Sequence, residues 1–238
     1  MTPSGRREDI LRILEKHESL SIRELAAQVY VSEASVRRDV AALEEEGLVH
    51  RIHGGVVLAS SENAVLPLYL RDGEHSAQKE LLARRAAELV EDGDTLLLDA
   101  SSTVRRMVKY LSGRKGLTIM TNNARILSDL GMLDARVFCT GGEYVRENHA
   151  FAGPVAEAAV RGFWADKVFF SSQGLSEAGE VSDHSEAENA LRRVMLERAG
   201  QKICLMDASK LGRHCRFRLC GREDIDLLLC NTRLPWEE

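Results

Sequence analysis

The chain has no run of eighteen or more uncharged apolar residues, so the sequence predicts no membrane-spanning helix. Residues 1–7 carry no apolar signal core, and the expected location is the cytoplasm. The five cysteines form no C-x-x-C pair, and their number is odd. That pattern argues against a disulfide framework and for reduced, mostly buried thiols. Cys215 and Cys220 lack a matching second pair, so neither a metal nor a cofactor is expected. No heptad run is long enough for a coiled coil. A basic excess is also missing. Net charge is −5, and residues 1–57 hold eight basic side chains against ten acidic ones. Bulk electrostatics therefore gives no support for nucleic-acid binding, and any such case rests on where individual charges sit.

At 238 residues the chain is long enough for two domains. Its 44% hydrophobic and 29% charged content is ordinary for a globular protein. The first sixty residues hold three closely spaced helical patterns. Ile10, Leu11, Ile13 and Leu14 mark a helix over about 6–17. Ser21-Ile22-Arg23-Glu24 is a capping-box pattern that opens a second, and Ser32 is an N-cap for a third carrying Val36, Val40 and Leu43 inward. Only Tyr30-Val31 lies between the last two, which predicts a helix-turn-helix. Gly47 is the expected stop of the third helix. Residues 48–53 then alternate like a strand, Gly54-Gly55 turns, and Val56-Val57-Leu58 returns as a β-hairpin wing.

Charge along the third helix is asymmetric. Ser32, Ser35, Arg37 and Arg38 occupy its beginning, and Glu44, Glu45 and Glu46 its end. Phosphate would repel the acidic end, so the beginning is the half suited to enter a major groove. Ser and Arg there suit base edges and phosphates, and Arg51 and His53 on the wing suit the backbone or minor groove. A solvated charged face on a protein-binding domain fits the same spacing.

Beyond a polar linker over 59–76, the chain alternates apolar strands and helices through 77–238. The strands are Thr95–Asp99, Leu117–Met120, Val137–Cys139, Val168–Phe170 and Lys202–Met206. Continuous apolar strands between helices predict an α/β fold with a mostly parallel sheet covered on both faces. Ligands of such sheets bind beyond the carboxyl ends of the strands. There the sequence places Asp99, Ser101, Ser102, Thr103, Thr121, Asn122, Gly141, Gly142 and Lys210, with Lys79 near a helix start. Ser101, Ser102 and Thr103 at a helix N-terminus suit an anion, phosphate above all, although one capping hydroxyl explains the motif equally well. Asp183 and Glu186 are suited either to sugar hydroxyls or to complementing a helix dipole.

Arg23-Glu24-Leu25-Ala26, Val31-Ser32, Val36-Arg37-Arg38-Asp39-Val40, Leu43-Glu44-Glu45-Glu46-Gly47 and Arg51-Ile52-His53-Gly54-Gly55 together resemble the signature of the DeoR family of bacterial regulators. The second half resembles the effector-sensing domain of that family through Lys79, Leu98-Asp99-Ala100-Ser101-Ser102-Thr103, Thr121-Asn122, Gly141-Gly142, Gly153, Asp166-Lys167 and Asp207-Ala208-Ser209-Lys210. Where the family often has Asp-Ser-Gly-Thr-Thr, this chain has Asp99-Ala100-Ser101-Ser102-Thr103. The resemblance implies a winged helix-turn-helix over 1–58 that binds operator DNA, and a domain similar to ribose-5-phosphate isomerase that takes a small phosphorylated sugar. It implies a repressor of carbohydrate-metabolism genes; paired recognition helices on repeated half-sites make a homo-oligomer, dimer or tetramer, the separate expectation. An isomerase-like enzyme and a regulator with a vestigial pocket are the alternatives. Isomerisation needs a carboxylate base, and the stretch Phe170–Leu175 has none.

Overall fold

The computed structural model of the protein describes residues 3–14, 17, 19–46, 48–52, 55–58 and 75–236. The chain divides into two compact units, Met1–Val65 and Leu66–Glu238.

In the first unit, α1 (Pro3–Leu14), α2 (Ile22–Gln28) and α3 (Glu33–Glu45) are followed by β1 (Val49–Ile52) and β2 (Gly55–Leu58). The capping box forms as its spacing predicts. Ser21 Oγ accepts from Glu24 N at 3.1 Å, and the Glu24 carboxylate accepts from Ser21 N at 2.8 Å. Ser32 caps α3 by accepting from Ser35 N at 3.3 Å. Ile10, Leu25, Val36, Val40, Leu43, Val49 and Val56 are fully or nearly fully buried together as the core of this unit. The sequence puts the first helix over about 6–17, whereas α1 starts earlier, at Pro3, and ends at Leu14.

β1 and β2 pair antiparallel, Ile52 opposite Gly55, and a third segment joins them. Leu20 and Val56 exchange backbone hydrogen bonds of 3.1 and 2.7 Å. That approach explains Gly55, where a Cβ would stand 2.7 Å from the Leu20 carbonyl oxygen. The expected helix stop at Gly47, the turn residue Gly54, the wing residue His53 and most of the expected linker lie outside the described residues. Ser21→Ala is expected to cost the N-terminal unit about 1 kcal/mol by removing half of the capping box. Urea denaturation followed by circular dichroism would show it as a lower midpoint with an unchanged slope.

The second unit contains α4 (Ser76–Glu88), β3 (Thr95–Leu98), α5 (Ser102–Met107), β4 (Leu117–Thr121), α6 (Leu127–Leu130) and β5 (Ala135–Cys139). A hairpin of β6 (Glu143–Val145) and β7 (Ala150–Ala152) leads to α7 (Pro154–Arg161) and β8 (Ala165–Phe170). Then come β9 (Gly174–Leu175), β10 (Val181–Asp183), α8 (Glu186–Glu197), β11 (Ala199–Met206), β12 (Phe217–Cys220) and β13 (Leu227–Cys230).

Six strands form one wholly parallel sheet in the order β13-β11-β8-β3-β4-β5. Side chains alternate across it, as the strand period of two requires. Leu96, Leu98, Phe169, Ile203 and Leu205 enter one core with α4 and α5. Leu97, Val168, Phe170, Cys204 and Met206 enter the other with α7 and α8. The chain leaves β3 toward β4 and β5 on one side and later returns to β8 on the other. The switch point therefore lies between the carboxyl ends of β3 and β8. A small antiparallel sheet, β12-β10-β9, stands apart from the main one and has no counterpart in the sequence expectations.

Among the described residues, no helix is long and apolar enough to cross a membrane. All five cysteines are free. Cys204, Cys220 and Cys230 are buried, Cys215 is half-buried and Cys139 is exposed.

Candidate functional site

Two regions bear on function, one in each unit. In the first, Ser32, Arg37 and Arg38 are exposed at the start of α3, and Ser35 is half-buried. Ser32 and Ser35 hydroxyls lie 3.0 Å apart. Arg37 pairs with Glu33 one turn earlier at 3.1 Å, and Arg38 Nε donates to the Ala34 carbonyl at 3.4 Å. Neither guanidinium is held by another element in these bonds.

Arg51 is exposed on the wing and also bonded to α3. Its backbone N and Nε donate to Glu44 at 2.9 and 2.6 Å, clamping the wing to the end of α3. Those bonds hold the Glu44 carboxyl below its ordinary range. Glu46 pairs with Arg7 at 3.1 Å, so two of the three acids at the end of α3 are engaged within the unit. Asp39, buried on the inner face of α3, forms an ion pair with Arg6 that fixes α1 against α3. Hydrogen bonding to Asp39 raises the Arg6 pKa, outweighing burial.

The second region is a cavity at the switch point. Asp99 follows β3, and its Oδ1 accepts from Ser101 N at 2.9 Å. Its Oδ2 accepts from Ser171 N, just past β8, at 3.2 Å, and from Arg192 Nε at 3.1 Å. One carboxylate thereby ties together the ends of the two central strands. Ser101 caps α5, with its Oγ accepting from Val104 N at 3.2 Å, while Ser102 and Thr103 are buried behind it. Lys79 reaches the cavity from the first turns of α4, and Lys210 reaches it from the segment after β11. Lys210 Nζ donates to Gln173 Oε1 at 2.6 Å. Lys79, Ser101, Ser102, Thr103 and Lys210 thus line one cavity, together with Ser171, Ser172, Gln173, Asp183 and Arg192.

Arg192 is the residue that sequence reasoning missed. It is almost fully buried on α8, and donates to Asp99 at 3.1 Å, Asp183 at 2.9 Å and Glu188 at 3.1 Å. Burial opposes its charge, but Asp183, Asp99 and Glu188 outweigh burial and hold its pKa above the ordinary arginine value.

Other expected site residues lie elsewhere. Thr121 Oγ1 accepts from Asn123 N at 3.1 Å, and Asn122 Nδ2 donates to the Phe151 carbonyl at 3.0 Å. Gly142, at φ 107°, lets β7 approach so closely that a Cβ would sit 2.6 Å from the Ala152 oxygen. Its neighbour Gly141, at φ 63°, shares that turn. Glu186 is exposed and pairs with Arg193 at 2.8 Å. Thr121, Asn122, Gly141, Gly142 and Glu186 are not among the described residues that line the cavity. Asp99 lies beneath it as an anchor.

Comparison with known proteins covers both units. A family model described as a DeoR-like helix-turn-helix domain matches residues 6–62, and one described as the DeoR C terminal sensor domain matches residues 74–232. The HTH-type transcriptional repressor GlcR of Bacillus subtilis is 31% identical over 229 residues, covering 95% of this chain and 87% of that protein. The lactose phosphotransferase system repressor of Staphylococcus epidermidis is 30% identical over 239 residues, covering 98% and 93%. Among solved structures, eIF2B delta from Chaetomium thermophilum matches 68% of this chain and 58% of its own at 13% identity, with a TM-score of 0.50. Ribose 5-phosphate isomerase A from Methanocaldococcus jannaschii matches 58% and 55% at 14% identity, with a TM-score of 0.44. At 13% identity the likeness to eIF2B delta is one of fold, and the chain spans a little over half the length of either neighbour.

Proposed function

We propose a function that proceeds from one premise: the chain belongs to the DeoR family of transcriptional regulators. It represses carbohydrate-metabolism genes by binding operator DNA through α3, and a phosphorylated sugar in the switch-point cavity relieves that repression. The observation that carries the reading is the meeting of two amino groups, Lys79 and Lys210, with the Ser101, Ser102 and Thr103 segment in one cavity. A phosphate monoester brings about −1.5 to −2 charges and three acceptor oxygens, which such a donor set suits. A relative named as a lactose phosphotransferase system repressor supports the carbohydrate assignment.

We assign the cavity to sensing rather than turnover. Asp183 is its candidate base, but the carboxylate is ion-paired to Arg192 and accepts from the His184 backbone, and a carboxylate so engaged is poorly placed to abstract a proton. The ligand weakens DNA affinity only if it binds the DNA-free arrangement more tightly than the DNA-bound one. The N-terminal region has ten acidic against eight basic residues, so the proposal includes two or more copies engaging repeated half-sites.

Gel-shift titration of operator fragments selected from genomic DNA, with a panel of phosphorylated sugars, tests this reading. At least one sugar phosphate is expected to release the fragment. Lys210→Ala is expected to need about tenfold more of that sugar, as loss of a charge-assisted contact implies. Equal sensitivity in the variant would remove Lys210 from the site.

A further inference from the structure

We infer that Asp183 is a specificity-determining residue of the cavity: it selects ligands that present a hydroxyl beside their anionic group and disfavours those that present a second carboxylate there. The inference rests on the reading of the cavity as an anion site.

Asp99, Asp183 and Glu188 converge on Arg192, and all four are at most 5% exposed. Arg192 supplies one positive charge against three negative ones, so the cluster keeps an excess of two negative charges. Lys79 and Lys210 bring two positive charges to the same cavity. The lining is therefore neutral before any ligand enters, so an anion is accommodated only beside the lysines, and any further negative group placed against the carboxylates is repelled.

Arg192 itself is committed. Its Nε, Nη1 and Nη2 donate to Asp99, Asp183, Asn189 and Glu188, which uses four of its five N–H groups. It orients Asp183 rather than gripping an anion.

Asp183 in turn accepts two hydrogen bonds, from Arg192 Nη1 at 2.9 Å and from His184 N at 2.7 Å, while the single proton of Ser172 Oγ, 3.2 Å away, goes to the nearer Ser182 carbonyl at 2.7 Å. A carboxylate has about four acceptor positions, so about two remain for a ligand. Those positions take donors. A sugar hydroxyl donates, whereas a ligand carboxylate only accepts and adds like charge in a buried setting.

The test uses the full chain and two probes that differ only at C1. Glycerol 3-phosphate carries a hydroxymethyl group where 3-phosphoglycerate carries a carboxylate, and inorganic phosphate serves as the anion alone. Calorimetric titration of the unaltered protein is expected to give glycerol 3-phosphate at least about tenfold tighter binding than 3-phosphoglycerate. In Asp183→Asn the ratio is expected to fall to within about threefold, chiefly because 3-phosphoglycerate gains. Equal binding of the two esters to the unaltered protein overturns the inference, as does an unchanged ratio in a folded Asn variant. Should that variant not fold, the ratio in the unaltered protein decides alone. Failure of all three probes to bind would instead overturn the anion-site reading, a result distinct from binding without discrimination.

Discussion

Arg192→Ala is expected to destabilise the C-terminal unit by about 3–5 kcal/mol, the range for breaking a buried ion pair by removing one partner. The cost comes less from the lost bonds than from what stays behind. Asp99, Asp183 and Glu188 are at most 5% exposed, and without the guanidinium they face one another unpaired. Urea denaturation would measure the deficit as a lower midpoint. Arg192→Lys is expected to lie between, because an ammonium offers charge without the planar fork. A deficit below about 1 kcal/mol in the Ala variant would mean that the cluster is not organised by Arg192. The prediction also reaches the cavity, since Asp99 tethers the ends of β3 and β8 while bound to the same guanidinium.

What could be read from the sequence follows from how local each signal is. Ser21 with Glu24, and Ser32 before α3, are patterns whose partners lie within three residues, and both caps form. Residues 96–98, 119–120 and 203–206 are the stretches of β3, β4 and β11 buried in a parallel sheet covered on both faces, which makes them continuous apolar runs. The small sheet was not legible. β9 has two residues and β10 three, too short for any period to register, and β10 pairs with β12 across 34 to 39 positions of chain (Asp183 opposite Phe217, Val181 opposite Cys220). Arg192 was hidden for a related reason. Glu188 and Arg192 at i,i+4 read as a solvated helix pair, and only Asp99, 93 positions away, reveals that the pair is buried. The carboxyl-end rule named every strand end as a candidate. Topology narrows it: Thr121, Asn122, Gly141 and Gly142 end β4 and β5, where Asn122 and Gly142 meet β7, while the cavity opens at the β3–β8 switch.

Arg38→Ala is expected to weaken operator binding by about 1–3 kcal/mol, or roughly 5- to 150-fold, whether the side chain reads a base edge or grips phosphate. The side chain is exposed near the start of α3, and its one long bond, to the Ala34 carbonyl, lies within its own helix. Its removal should therefore leave the fold of the N-terminal unit intact. Arg51→Ala is the informative contrast, because Arg51 is clamped to Glu44 and serves the wing's attachment first. It should lower the unit's stability more than Arg38→Ala does, and operator affinity less. Fluorescence anisotropy with operator and random duplexes, at low and at physiological salt, separates the two roles of Arg38. A phosphate contact lowers affinity for both duplexes alike and reduces the slope of log affinity against log salt by about one. A base contact lowers affinity for the operator alone and leaves the random duplex unaffected. Unchanged binding to both would remove the beginning of α3 from the interface. The acidic end does not take its place, since Glu44 and Glu46 are already paired with Arg51 and Arg7.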